Sequence, residues 1–483
     1  MSSLRKLEPE LRATVTAALR REQVPGYVAG IWHDGQMLEI ALGVANSTSR
    51  AVMVSSCAFP LGSVTKVLTA TLLLRFVERG KVSLDDFVIQ HLPDFRLATP
   101  DHAARLLVRH LLNHTNGIDA DTLFPEPPSG ENPLQVYMAR LVGCRALFEP
   151  DECISYSNPG FVVAGRLLEA VSGSDFATLM QREVCGPAAM IRSTISGRRA
   201  ALGPVTIGHH RGPDGSMRPA LRWTLPASGA PAGTTAFGTV GDLIRFGRVH
   251  LEGGRSLQGH QILSEESVLA MRQVSAAMQT PNCPPVGLGW WLPPFGDTVS
   301  LFHLGGSPGG RSILMVFPCH ALVFAAYGNA VGAMRIHDAL SLLLAETLLG
   351  LRLKVPGRNT SFRAALPELW PCIGAFAEFQ FHTDVHLGKG NELITCQRFK
   401  PTDSAHASLL KQFTGGVLAP TTHRLISLSP TLFAPAEEPL EAFRGIRRRE
   451  LVSFHNRGRD GQFCFCLQTG RIATRCGNIE AKP

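Results

Sequence analysis

The chain has 483 residues, 45% hydrophobic and 18% charged, with a formal net charge of +8. This length suggests two domains, and the balance describes an ordinary globular protein rather than a disordered one. The one dense basic cluster, Arg444, Arg447, Arg448 and Arg449, reads as a solvated face; lacking a basic–aromatic surface, it gives no expectation of a nucleic-acid partner.

The first predicted element is an amphipathic helix over 7–21, stopped by Pro25-Gly26. Strands over 27–32 and 37–44 follow, joined by His33-Asp34-Gly35-Gln36, where Asp-Gly between apolar runs signals a hairpin. Phe59-Pro60-Leu61-Gly62 then turns into an almost wholly apolar helical run over 67–77. The segment 84–118 is helical and looped, and 119–133 is a Pro-, Gly- and acid-rich loop that could lie over a site. Helices are predicted over 161–171 and 240–251, and strands of a meander over 287–291, 301–306, 312–317 and 321–327. A helix over 339–349, stopped by Gly350, closes this part. The pattern beyond it changes to short alternating runs at 425–428, 431–433, 451–454 and 463–467, an all-β texture compatible with a small barrel. The expected organisation is a domain over 1–353, a linker over 354–366 and a β-rich domain over 367–483.

No run of about 18 apolar residues occurs and the N-terminus has no apolar stretch of signal type, so a cytosolic location and no membrane partner are expected. Eleven cysteines, without metal-type spacing, are expected as free thiols, and no metal is expected.

The chemistry lies in three short stretches. Ser63-Val64-Thr65-Lys66 puts a hydroxyl and an amine three residues apart at the start of the apolar helix, and such residues share a face. A serine needs a neighbouring base to become a nucleophile, and a lysine half-buried under an apolar helix can have its pKa lowered enough to serve. Ser-x-x-Lys also occurs at Ser3–Lys6 and Ser408–Lys411, but neither has a turn before it and a buried helix after it. Tyr156-Ser157-Asn158 sits just before a predicted helix, where a phenol can enter a cleft as phenolate or proton shuttle. Asn158 can offer its amide to a substrate carbonyl or to Lys66. Tyr327-Gly328-Asn329 fits the same pattern but ends a predicted strand. His303-Leu304-Gly305-Gly306 lies on a strand whose glycines permit close approach, and the N–H groups of Ser63 and Gly306 could form an oxyanion hole.

Together these motifs resemble the serine β-lactamase and penicillin-binding-protein superfamily, in its class C-like branch of esterases, D-amino-acid-specific peptidases and transacylases. The resemblance spans roughly residues 7–349 and is supported by Arg109-His110-Leu111-Leu112-Asn113-His114-Thr115-Asn116-Gly117 and Pro231-Ala232-Gly233. It implies an α+β fold, with a helical subdomain beside an antiparallel sheet flanked by helices. It also implies that Ser63 is acylated, that Lys66 and Tyr156 move the proton, and that Asn158, His303 and Gly305 contact substrate; no cofactor is needed. His303 stands where β-lactamases and cell-wall enzymes usually carry lysine, which argues against recognition of a β-lactam carboxylate. The C-terminal module resembles the lipocalin-like barrel appended to some D-aminopeptidases and to penicillin-binding-protein-type thioesterases of nonribosomal peptide assembly. The expected activity is therefore a cytosolic peptidyl thioesterase or cyclase, its acyl substrate a small molecule or peptide that can be presented on a carrier protein. An esterase or D-aminopeptidase using water is the alternative, and a non-catalytic binding relative comes third.

Overall fold

A computed structural model describes residues 3–357, 366–389 and 392–478. Helix α1 (Ser3–Arg21) leads into strands β1 (Gly26–His33) and β2 (Gln36–Gly43), which pair through the Asp34-Gly35 turn. Helix α2 (Thr65–Glu78) comes next, then α3 (Asn158–Ser172) and α4 (Val240–Leu251). Strands β3 (Leu301–Ser307), β4 (Gly310–Phe317) and β5 (Leu322–Gly328) and helix α5 (Ala333–Leu348) complete the first unit. The sheet order is β2-β1-β5-β4-β3, all antiparallel, leaving β3 at one edge.

The period-2 alternation of strand side chains divides this unit into two cores. Tyr27, Ala29, Ile31, Ile313, Met315, Phe324 and Ala326 face α1 and α5. Val28, Leu314, Val316, Val323 and Ala325 join the larger core with α2, α3 and α4. Helix α2 is central to it, with Val67, Leu68, Ala70, Leu72, Leu73, Leu74 and Phe76 buried. A helix apolar on all sides belongs inside a domain, and each such large side chain contributes about 1.5–3 kcal/mol by leaving water.

The second unit is a closed antiparallel barrel of consecutive strands: β6 (Gly374–Ala377), β7 (Phe381–Leu387), β8 (Leu393–Phe399), β9 (Thr421–Ser429), β10 (Leu432–Pro435), β11 (Val452–Arg457), β12 (Phe463–Gln468) and β13 (Arg471–Gly477). This is the lipocalin-like topology, closed by β6 against β13. Helix α6 (Ser404–Thr414) lies between β8 and β9, capped by the Asp403 side chain. Phe376, Val385, Leu393, Leu425, Phe433, Val452 and Phe454 fill the barrel.

The expected α+β sheet domain and β-barrel are both present, with some shifts in detail. The segment 287–291 is a turn rather than a strand. Gly289 has φ +82°, and its backbone packs so closely on α2 that a Cβ would lie 2.7 Å from the Ala70 methyl. Helix α5 starts at Ala333, six residues before the apolar run on which the 339–349 expectation rests. The expected linker falls in large part on 358–365, outside the described residues. Among the described residues all eleven cysteines are free, and no helix is long and apolar enough to cross a membrane.

The barrel is docked on the first unit through polar and apolar contacts. Asn282 donates to the Leu451 carbonyl at 2.9 Å, Ile446 N–H donates to Asp338 at 2.9 Å, and Phe465, Leu467 and Ile472 join the core beneath the sheet. The arginine cluster is part of this junction and not a solvated face. Arg444 pairs across the junction with Glu346 at 3.1 Å, and Arg447 is buried between Glu438 and Glu450 of its own domain, at 2.9 and 2.7 Å, where the carboxylates compensate its charge.

Candidate active site

Ser63 lies on a 3-10 turn, Gly62–Val64, that feeds directly into α2, so Lys66 is the second residue of the helix proper. The turn is forced by close backbone approach. Gly62 has φ +52°, and a Cβ there would fall 2.7 Å from the Gly306 nitrogen. Gly233 has φ +110°, and a Cβ on it would fall 1.9 Å from the Gly62 carbonyl oxygen. Pro231-Ala232-Gly233 thus braces the turn from one side and β3 from the other.

The three expected groups meet there. Lys66 Nζ is 3.2 Å from Ser63 Oγ, and Tyr156 O–H donates to the same oxygen at 2.5 Å. Lys66 also donates to Asn158 Oδ1 at 2.5 Å and to the Ala232 carbonyl at 2.9 Å. The lysine is fully buried, not half-buried, and burial holds its pKa well below that of a free amine; Asp121 opposes the shift and Arg471 adds to it. Burial pushes the Tyr156 phenol the other way, upward, so it is a neutral O–H donor rather than a phenolate.

Asn158 spends both amide hydrogens on Asp121, at 2.7 Å to its carbonyl and 2.9 Å to its Oδ1. Of the two uses open to its amide, the structure shows the contact with Lys66. Asp121 itself belongs to the acid-rich loop after Gly117, which lines the cleft with Thr122 and Phe124. Under the Tyr156 loop, His114 accepts from the Ser157 N–H at 3.1 Å and stacks on Trp291, with ring centroids 5.1 Å apart. The motif 109–117 is therefore a scaffold for Tyr156.

His303, on β3, is buried beside the cleft. Its Nδ1 is 2.8 Å from the Leu304 carbonyl, which can only accept, so Nδ1 carries the proton and Nε2 a lone pair. Burial, reinforced by Lys66, takes its pKa down to about 3, so it is uncharged near neutrality. The sign is that of a group whose charged form is disfavoured: protonation would begin only as pH falls toward 3. We expect His303→Gln to leave the pH profile of Ser63 labelling unchanged between pH 5 and 8; a lost or moved inflection in that window would contradict this. Gly305 lines the cleft with Ser63 and His303, and on its other side a Cβ would lie 2.1 Å from the Leu61 carbonyl oxygen. That side packs on the Ser63 turn. Gly306 N lies beside Gly62, and Gly306 and Ser63 both line the cleft.

The sequence reading missed a contribution from the barrel. Arg471 and Arg449 both line the cleft of about 450 Å³ that holds Ser63. Arg471 Nε donates to Asp121 at 2.7 Å, and its guanidinium lies 4.6 Å from the Tyr156 ring centroid. Thr469-Gly470, at the hairpin tip before Arg471, carry φ of 51° and 82°, the left-handed pair of a tight hairpin turn. A Gly after an apolar run signals such a tip, but not which tip reaches a distant serine. Among the described residues no group of His, Cys, Asp or Glu is arranged to hold a metal ion.

The family described as Beta-lactamase matches residues 11–348. The chain belongs to this family. It is 30% identical over 341 residues to Penicillin-binding protein 4 of Amycolatopsis lactamdurans, covering 70% of this chain and 89% of that one. It is 37% identical over 114 residues to Esterase EstB of Burkholderia gladioli, covering 23% and 29% of the two chains. The crystal structure of SurE with D-Leu superimposes with a TM-score of 0.71 at 25% identity, over 97% of this chain and 99% of that one. The protein is thus a β-lactamase-related serine hydrolase with an appended barrel.

Proposed function

We propose that the protein forms a Ser63 acyl-enzyme from a peptidyl ester or thioester and passes the acyl group to the peptide's own amine, acting as a peptidyl thioesterase and cyclase of nonribosomal peptide type. The observation that carries the acyl-enzyme is the contact of Ser63 Oγ with both Lys66 Nζ, at 3.2 Å, and the Tyr156 hydroxyl, at 2.5 Å. Neutral Lys66 takes the Ser63 proton as Oγ attacks the carbonyl carbon. The Ser63 and Gly306 N–H groups stabilise the oxyanion, preorganised donors being worth about 3–4 kcal/mol each. As the tetrahedral adduct collapses, Tyr156 gives its proton to the departing thiol or alcohol and recovers one from Lys66. The incoming amine then loses its proton along the reverse path while Ser63 Oγ regains one.

Three features support a peptide in this role. The cleft is walled by Phe124, Leu225, Phe381, Phe399 and Phe413 from both units, giving apolar room for a chain that folds back. Uncharged His303 offers no cation where a β-lactam carboxylate would need one. The likeness to SurE, whose structure holds D-Leu, extends through the barrel, which supports a D-residue at the acylating end. On this reading the thioester would be presented by a carrier protein. Hydrolysis is the second reading, favoured by the local similarity to EstB.

Intact-protein mass spectrometry with p-nitrophenyl esters, D-amino-acid amides and a peptidyl thioester ending in a D-residue separates them. We expect the thioester to leave an adduct on Ser63, absent in Ser63→Ala, and to give a cyclic product. A linear product alone would favour the hydrolase, and no adduct from any donor would favour a binding protein.

A further inference from the structure

The last hairpin of the barrel reaches the catalytic cluster from behind. On one side of its tip the Gly470 carbonyl accepts from the Tyr156 N–H at 2.7 Å; on the other the Ile472 N–H donates to Ser155 Oγ at 3.0 Å. Between them Arg471 pairs with Asp121 at 2.7 Å, the two side chains 23% and 8% exposed. Asp121 binds both hydrogens of the Asn158 amide, and Asn158 Oδ1 receives Lys66. One continuous chain of contacts therefore runs from the barrel to the amine beside Ser63.

The chain has a direction imposed by hydrogen-bond chemistry. An asparagine amide can point either its oxygen or its NH₂ at a neighbour. Asp121 has only acceptors to offer, so it takes the NH₂ and leaves the oxygen for Lys66. A buried carboxylate keeps that acceptor character only while a cation compensates it. Arg471 is the one cation that forms a salt bridge with Asp121 among the described residues. Without it, Asp121 would turn toward water and Asn158 would lose the side-chain half of its anchor, keeping only the Asp121 carbonyl, so that the seat of Lys66 would loosen.

We propose that Arg471 is a positioning residue for acylation: through Asp121 and Asn158 it sets the place of Lys66, so that the reactive cluster is complete only with the barrel's final hairpin docked. The proposal rests on the Ser63 acyl-enzyme reading and assigns that site a dependence on the second domain. Arg471 acts on Tyr156 as well, through its stacking on the ring.

The test is inactivation of the full chain by a small fluorophosphonate, in which Ser63 Oγ attacks phosphorus, fluoride leaves and Lys66 takes the proton. Rate at saturation and half-saturating concentration are measured against pH for wild type, Arg471→Gln, Asp121→Asn and the double variant, with the Tm of each. We expect Arg471→Gln to lower the saturated rate roughly 100-fold, the scale of a misplacement of about 1 Å, with little change in half-saturation. The double variant should be no slower than the slower single one, because both act through one chain. The acid limb adds a signature that a general loss of stability would not produce. Lys66 faces Tyr156, His114, His303, Asp121 and Arg471, with Arg449 behind Tyr156. The phenol and both imidazoles are held uncharged, so the two charges next in the chain set the limb. Losing the like charge of Arg471 should move the limb to higher pH, and losing the Asp121 charge should move it to lower pH. Arg471→Lys, which keeps the charge, should hold the limb near its wild-type position and serves as the second variant if Arg471→Gln does not fold. Labelling of Arg471→Gln at the wild-type rate with an unmoved limb, or additive losses in the double variant, would overturn the clamp alone. A wild type that is not labelled at Ser63 would overturn the acyl-enzyme reading and the clamp with it.

Discussion

Lys66→Met is expected to lower the rate of Ser63 acylation by about 10²–10⁴-fold, the range contributed by a positioned general base. Among the described residues two groups bond Ser63 Oγ in a way that could move its proton, Lys66 and Tyr156, and burial drives them apart. Lys66 is pushed toward its neutral, proton-accepting form and Tyr156 toward its protonated, donating form. Removing the amine leaves a hydroxyl that faces only another hydroxyl, with no base to receive a proton. Methionine fills most of the space of the lysine stem, so the fold should survive. The Ala232 carbonyl and Asn158 Oδ1 lose a donor, at about 1–3 kcal/mol each, while a buried polar amine that is costly to desolvate is removed. These effects oppose one another, so Tm should move by a few degrees at most. The decisive measurement is the fluorophosphonate labelling rate beside a thermal melt. Near-normal labelling in a folded Lys66→Met protein would take the amine out of the mechanism and leave Tyr156 to act as base.

The contrast between what the sequence shows and what it hides follows from distance along the chain. Ser63 and Lys66 are one helical turn apart, so their meeting is local geometry and can be read from spacing. Tyr156 and His303 come to them through packing of whole elements, and only the resemblance to a known family ties those stretches together. Asp121 was visible only as one acid in a loop rich in acids and prolines. Arg471 lies 350 residues from its partner, and nothing in Gln468-Thr469-Gly470-Arg471 beyond a hairpin signal marks it. Its role depends on how one barrel docks on one sheet. The same holds for strands β6, β7, β8 and β13, whose short alternating runs were too brief or too polar to stand out. Their order is imposed by closure of the barrel. The segment 287–291 misled for the opposite reason: its Trp290-Trp291 pair has the composition of a strand. Gly289 lets the chain pass over α2, and Gly287 lets it pass the Met271 carbonyl.

Gly305→Ala is expected to be among the most damaging single-methyl changes in the protein. A Cβ at this position would fall 2.0 Å from Ser312 Oγ and 2.1 Å from the Leu61 carbonyl oxygen. Those two atoms already bond to each other at 2.7 Å, tying β4 to the residue two before Ser63. The methyl must therefore separate the edge strand from the nucleophile's turn or break that bond. Overpacking of this kind costs about 1–3 kcal/mol, and the lost hydrogen bond adds about 1 kcal/mol. Ser312→Ala in the same chain should not restore stability, because the Leu61 carbonyl is backbone and stays where it is. The functional loss should exceed the stability loss. Leu61 and Gly62 set the position of Ser63 Oγ between Lys66 and Tyr156, and the Gly306 N–H, the next donor along β3, moves with Gly305. A shift of about 1 Å between them is worth roughly 100-fold in rate. A melt and a labelling time course on Gly305→Ala should thus show a lowered Tm together with slow acylation well below it. Full reactivity at wild-type Tm would mean that β3 and the turn are far less tightly apposed than these contacts require.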